Sequence, residues 1–155
     1  MRRVRLFGVV LAVVLATSGC AWVGRVGVST SGAQPTSGAT TGTDISPTGR
    51  YVVFTSEATN LVSGDTNNSA DVFLRDSQTG VTERVSVADN GAEAQLGGYG
   101  GLVSADGRYV AFSSDSANLV ALDTNMSTDV FVRDRVAGTT TRVSRGATQI
   151  GRAHV

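Results

Sequence analysis

A seven-residue pattern of oxygen-bearing side chains occurs twice in this sequence and is its clearest candidate for chemistry. The pattern D-x-N-x-S-x-D spans residues 65–71 and again 123–129. Alternating carboxylate, amide and hydroxyl oxygens on a tight loop suit a hard cation such as Ca²⁺, which takes about six to eight oxygen ligands. The candidate ligands are Asp65, Asn67, Ser69 and Asp71 in the first copy and Asp123, Asn125, Ser127 and Asp129 in the second.

The same pattern has a structural alternative, an Asx-rich turn whose side chains cap backbone N–H groups before a strand. The spacing resembles the start of an EF-hand loop, but Ala70 and Thr128 stand where that loop needs glycine. No glutamate closes either copy at the twelfth position, where Asp76 and Asp134 occur instead. Calcium binding and the Asx turn are both open on the sequence.

Catalytic chemistry has little support in the sequence. The chain contains no G-x-S-x-G motif, and its single histidine, His154, lies close to the end. A serine or cysteine nucleophile therefore has no base within the repeated region. Basic and acidic residues balance at 13 each, and no basic block indicates a surface for nucleic acid. We expect a protein that is not an enzyme and does not bind nucleic acid.

The elements that position these loops form a tandem repeat. Residues 46–86 align with residues 104–144 at a constant offset of 58 (108 − 50, from Arg108 and Arg50), with 24 of the 41 positions identical. S-x-x-G-R-Y-V-x-F is followed by N-L-V-x-x-D-T-N-x-S-x-D-V-F-x-R-D and then R-V-S. A period of this length marks a supersecondary unit that buries its apolar face by stacking on neighbouring copies.

Each repeat reads as four short antiparallel strands. Runs rich in Val, Phe, Tyr and Thr, separated by Gly-containing turns, predict strands at 43–46, 51–55, 71–76 and 82–87 and again at 100–104, 109–113, 129–134 and 140–145. Four such strands repeated head to tail make blades of a β-propeller, an all-β fold. The paired Phe54/Phe112 and Phe73/Phe131 are predicted to form the core between blades.

The blades resemble the TolB-type, WD40-like propeller repeat. The resemblance lies in S-P-T-G-R-Y-V-V-F and S-A-D-G-R-Y-V-A-F, together with D-V-F-[LV]-R-D, and covers residues 46–144. It implies protein–protein or envelope-associated recognition. The resemblance also implies an alternative function for the chain. It could be the propeller portion of a prolyl-oligopeptidase-like serine hydrolase whose catalytic domain lies outside this sequence.

The first residues resemble an export signal. Arg2, Arg3 and Arg5 precede an apolar run at 6–16, and small residues lead to Cys20, the only cysteine. This arrangement resembles a bacterial lipobox, which implies a lipid-modified Cys20 and an extracytoplasmic, membrane-anchored chain, although Thr17 stands where that motif usually has leucine. Ordinary cleavage and secretion is the alternative.

These predictions divide the chain into six segments. They are a signal peptide (1–19), a lipidated cysteine with a tether or a lone outer strand (20–43), blade 1 (44–87), a connection (88–99), blade 2 (100–145) and a tail (146–155). A propeller needs at least four blades, so two predict a fragment that needs further blades or chains to close a ring.

Three smaller predictions concern repeated polar residues and loops. Arg50/Arg108 and Arg75/Arg133, beside Asp76/Asp134, are predicted to form an ion-pair ladder between blades or solvated edges. Asn60 and Asn118 are predicted to bond their own loop backbone. The long segments 56–70, 88–99 and 114–128 are expected on one face, where binding to a protein partner is predicted.

Overall fold

Two four-stranded antiparallel sheets make up the part of the chain that the structure describes, residues 24–144 of a computed structural model. The first sheet, blade 1, contains β1 (Thr40–Ile45), β2 (Tyr51–Ser56), β3 (Asp71–Asp76) and β4 (Val81–Arg84) in that order. Blade 2 contains β5 (Tyr99–Val103), β6 (Tyr109–Ser114), β7 (Asp129–Asp134) and β8 (Thr139–Arg142). The all-β, blade-like fold class is thus confirmed.

The outer strands end earlier than the sequence predicts. β4 stops at Arg84 and β8 at Arg142, three residues before the predicted ends at 87 and 145. The reason is visible at Ser86, whose hydroxyl accepts the N–H of Val72 at 3.1 Å in place of a backbone carbonyl. A side chain therefore completes the ladder while the backbone turns away towards the next blade.

The main core lies between the two blades. The rings of Phe112 and Phe131 stack with centroids 5.7 Å apart and pack with Val53, Val72 and Leu74 of blade 1, all almost fully buried. These two phenylalanines confirm the predicted inter-blade core. The matching pair in blade 1, Phe54 and Phe73, stacks at 5.5 Å in a separate cluster with Ala58 and Leu61. Strand alternation turns this pair to the face of its sheet away from blade 2, so within residues 24–144 it contacts no second blade, and its inter-blade role stays a prediction.

Two acidic residues of blade 1 form polar contacts with blade 2. The Asp44 carboxylate accepts the backbone N–H of Val103 at 2.8 Å. Glu83 pairs with Arg135, whose guanidinium also lies over the Tyr51 ring, 5.5 Å from its centroid. Blade 2 has Leu102 and Thr141 at the positions that match Asp44 and Glu83.

The segment before blade 1 is neither a lone strand nor a loose tether where the structure describes it. Residues 24–39 contain no strand, which corrects the strand alternative, and Val26 and Val28 are buried. The Val28 carbonyl accepts the Thr82 hydroxyl at 2.6 Å, as the Val87 carbonyl accepts the Thr140 hydroxyl at 2.5 Å. This segment therefore repeats the docking that the inter-blade connection makes on blade 2.

Several predicted features lie outside the described residues. They are the signal peptide at 1–19, Cys20 and the tail at 146–155. Within residues 24–144, no helix is long and apolar enough to cross a membrane.

Candidate functional site

The two D-x-N-x-S-x-D patterns lie in the long loops between the second and third strand of each blade. We name residues 57–70 loop A and residues 115–128 loop B. Because the strands alternate in direction, both loops and the connection at 85–98 leave the sheets at the same end. Tight turns at 46–51 and 76–81 occupy the opposite end of blade 1. The predicted clustering of long segments on one face therefore follows from the strand order.

The asparagine in each pattern organises the loop backbone. In loop A, the Asn67 side-chain oxygen accepts the N–H of Ser69 at 2.9 Å, and its amide nitrogen donates to an Asp71 carboxylate oxygen at 2.9 Å. In loop B, Asn125 makes the same two bonds, to Ser127 at 3.2 Å and to Asp129 at 2.9 Å. Both are Asx turns, in which the asparagine oxygen is already occupied by a backbone donor.

The two aspartates of the first D-x-N-x-S-x-D pattern lie around a guanidinium. Arg84 Nη1 lies 3.4 Å from Asp65 Oδ1, 3.3 Å from Asp71 Oδ2 and 2.8 Å from Glu93 Oε2. The Arg84 Nη2 group also donates to the Gly64 carbonyl at 2.9 Å. We name Arg84, Asp65, Asp71 and Glu93 the blade-1 cluster. It ties loop A, the end of β4 and the inter-blade connection together.

Blade 2 repeats this arrangement around Arg142. Its Nη1 lies 2.6 Å from Asp123 and 3.1 Å from Asp129, and all three side chains are less than 10% exposed. Ser144 donates to Asp129 at 2.5 Å, as Ser86 donates to Asp71 at 2.6 Å. An arginine held by the two outer aspartates of the pattern is therefore a feature of the repeat.

Burial sets the electrostatics of the blade-1 cluster. Burial raises the pKa of Asp65, and the neighbouring Asp71 raises it further. Burial also raises the pKa of Asp71, against the bonds from Ser86 and Asn67 that lower it. The hydrogen bond from Thr66 lowers the pKa of Glu93. Three carboxylates and one guanidinium leave the cluster with excess negative charge when all are ionised.

The ligand set for a cation differs from the one that the sequence predicts. Carboxylate oxygens of Asp65, Asp71 and Glu93 lie within 4.8 Å of one another. Asn67 and Ser69 instead direct their polar groups to the loop backbone, to Asp71 and, from the Asn67 amide nitrogen, to the Ala94 carbonyl of the connection at 2.7 Å. Because Arg84 Nη1 lies within 3.4 Å of all three carboxylates, the geometry favours the Asx turn with an arginine as the internal cation. Calcium binding stays a prediction.

Sequence reasoning missed Arg84, Arg142 and Glu93 as members of the loop network. Arg84 and Arg142 occur at matching positions in the two repeats, as the last residues of β4 (V-T-E-R) and β8 (T-T-T-R). That recurrence was the available signal. Glu93 lies outside the aligned repeat, and no pattern in the sequence points to it.

The repeated arginines at the other end pair within a blade and not between blades. Arg50 donates to Asp76 at 2.7 Å, and Arg108 donates to Asp134 at 2.7 Å, which corrects the predicted inter-blade ladder. These hydrogen bonds hold the pKa of both aspartates well below the usual range. Arg75 donates instead to the Thr82 hydroxyl at 2.8 Å and to the Ser29 carbonyl at 3.1 Å.

The repeated asparagines bridge to the preceding segment, which corrects the expectation that they bond their own loops. Asn118 donates to the Glu93 carbonyl at 2.8 Å and accepts the N–H of Gln95 at 3.1 Å. Asn60 bonds Gln34 and Thr36 in the same way, at 2.7 and 3.1 Å. Each amide satisfies backbone groups that lie outside any sheet.

An open cleft of about 380 Å³ lies beside these bridges. Its lining comes from the connection, from loop B and from β8: Ala88, Asp89, Asn90, Asn118, Leu119, Val120, Ala121 and Thr140. Asp89 already accepts the backbone N–H of Thr140 at 2.6 Å. Its lining combines small apolar side chains with amide and hydroxyl groups.

Comparison with known proteins gives a likeness in fold alone. No protein-family model matches the chain, and no curated protein does. Among solved structures, the chain is similar to a protein assigned as TolB from Agrobacterium tumefaciens, with 17% sequence identity and a TM-score of 0.46. The match covers 70% of this chain and 31% of that one, so this chain spans less than a third of its length. The fold assignment rests on the two sheets themselves.

Proposed function

We propose that this chain is an extracytoplasmic, lipid-anchored propeller segment that binds a protein partner through its long-loop face and performs no catalysis. One observation carries the proposal: both long loops are fixed at one end of the blades by buried arginine–aspartate contacts. Loops held rigidly on a sheet scaffold are the usual place for recognition. Attachment through Cys20 would keep this surface at the membrane.

The absence of catalysis is part of the proposal. Histidine is missing from residues 24–144 of the sequence, and Cys20 and His154 are the only cysteine and histidine in the chain. The carboxylates of the two D-x-N-x-S-x-D patterns engage arginines, asparagines and serines in matching sets. Such pairs suit a structural role, whereas an active site needs a group free to exchange a proton with substrate.

Photo-crosslinking from single sites in the native cell tests the partner. A photoreactive amino acid at Ser63 or Asn68 places the probe on loop A, and one at Thr79 or Ala137 places it on the opposite turns. We expect one discrete adduct from the loop positions and none from the turns. Equal labelling from both ends would contradict recognition by the loop face.

Metabolic labelling with an alkyne fatty acid tests the anchor separately. We expect the label on the wild-type chain and not on a Cys20→Ser variant. A labelled variant, or an unlabelled wild type, would contradict lipidation at Cys20 and leave the crosslinking result standing.

A further inference from the structure

Loop B exposes two large apolar side chains in an unfavourable backbone conformation. Leu122 is 87% exposed with φ of 63°, and Met126 is 96% exposed with φ of 51°. The matching positions of loop A hold Gly64, with φ of 71°, and Asn68, with φ of 54°. The two loops thus share a backbone course but differ in the residues placed at its left-handed positions.

The residues of loop A suit that backbone and those of loop B do not. Glycine lacks the Cβ that clashes in the left-handed region, and asparagine tolerates it, whereas leucine and methionine adopt it at a cost. Exposure of this degree means that neither side chain regains the cost by packing against residues 24–144. Backbone strain at exposed apolar residues indicates that these side chains gain binding free energy from contact with something outside the protein.

The polar surroundings of the two side chains favour a lipid surface over a protein groove. Loop B contains no basic residue and two aspartates: Asp123, which is 5% exposed and paired with Arg142, and Asp115, which is exposed and accepts the Thr128 hydroxyl. Protein hot spots favour Trp, Tyr and Arg, whereas leucine is under-represented there. A bilayer interface accepts isolated apolar side chains without shape complementarity, and a loop without basic residues has no group that would select an anionic headgroup.

We propose that loop B inserts Leu122 and Met126 into the interfacial layer of a zwitterionic lipid bilayer. The contact deepens the proposed function, because a weak loop contact suffices for a chain that a lipid already holds at the membrane. Insertion of loop B can be detected in a chain without the lipid anchor, because vesicles can be supplied at high concentration.

Tryptophan fluorescence in the full chain, with Trp22→Phe to remove the native indole, measures the insertion. One variant carries Leu122→Trp and its matched control carries Gly64→Trp at the equivalent position of loop A. With phosphatidylcholine vesicles we expect a blue shift and quenching by brominated lipid from position 122 only. Equal shifts from both positions, or none from position 122, would overturn the proposal, as would a shift that requires anionic lipid.

Two further variants test the insertion and the backbone strain in case a tryptophan disturbs loop B. Adding Met126→Asn to Leu122→Trp should raise the lipid concentration for half-maximal shift about tenfold, because one anchor is lost. Without lipid, Leu122→Gly with Met126→Asn should raise the melting temperature, because both residues then suit the backbone. An unchanged lipid concentration for half-maximal shift would overturn the proposal. So would an unchanged or lower melting temperature.

A protein adduct from position 122 that vesicles do not displace would assign loop B to a protein partner instead.

Discussion

The Tyr51 ring of blade 1 covers Gly107 of blade 2, so closely that a Cβ at position 107 would lie under 3.0 Å from three of its ring atoms. Gly107 also has φ of 73°, which disfavours any other residue. Gly107→Ala should therefore destabilise the chain by about 2–4 kcal/mol, from backbone strain plus displacement of the ring. Urea denaturation measures the loss.

Gly138→Ala separates the cost of backbone strain from the cost of displacing the Tyr51 ring. Gly138 has φ of 70°, and a Cβ there meets nothing within 4 Å. We expect only the backbone cost, about 1–2 kcal/mol. If both variants lose the same stability, the Tyr51 contact contributes nothing to the packing of the blades.

Asn118 holds the inter-blade connection to loop B through two hydrogen bonds to backbone. Asn118→Ala leaves the Glu93 carbonyl and the Gln95 N–H without these partners, so we expect a loss of about 1–2 kcal/mol. Hydrogen exchange should rise at residue 95. As a control, Asn90→Ala removes an amide whose oxygen accepts the Ala92 N–H within the same exposed turn. A comparable loss there would contradict the bridging role.

Arg84 supplies the positive charge of the blade-1 cluster. Its removal in Arg84→Met leaves three carboxylates close together, two of them buried, so we expect a loss of about 3–5 kcal/mol. Calcium should leave the wild-type melting temperature unchanged and should partly restore that of the variant, since Asp65, Asp71 and Glu93 can then face the ion. A wild-type increase with Ca²⁺, reversed by chelator, would instead support the calcium site in the native chain.

Asp76 links stability to pH. Its pKa is lowered in the folded chain by the Arg50 hydrogen bond, so the stabilisation is present above the unfolded value of about 3.9 and is lost as pH falls below it. Asp76→Asn should therefore be less stable than wild type at pH 7, and the difference should shrink at pH 3 and below. Urea denaturation at both pH values checks this. A difference that is constant with pH would assign the effect to packing.

Local sequence patterns predicted the strands and the positions of the loops because β-propensity, turn residues and a fixed period all pointed to the same unit. They did not predict how Asn60 and Asn118 reach a preceding segment. Those bonds join residues more than twenty positions apart, across a boundary that the repeat alignment does not contain.

The candidate site was likewise predicted only in part from the sequence. The D-x-N-x-S-x-D spacing indicates a loop rich in oxygen ligands, but whether those oxygens face a metal or a guanidinium depends on where β4 ends. Arg84 lies at that end, and Glu93 arrives from the connection. Only the fold brings these groups to the aspartates.

Asp44 and Glu83 make the order of the two repeats non-interchangeable. The bond to Arg135 needs Glu83 in the leading repeat and Arg135 in the following one, where the first repeat has Ser77. Two copies of the first repeat in tandem would lose that ion pair, and two copies of the second would lose the Asp44 bond as well. Among these arrangements, only the first repeat followed by the second makes both bonds, so direction along the array is encoded in a pair of carboxylates.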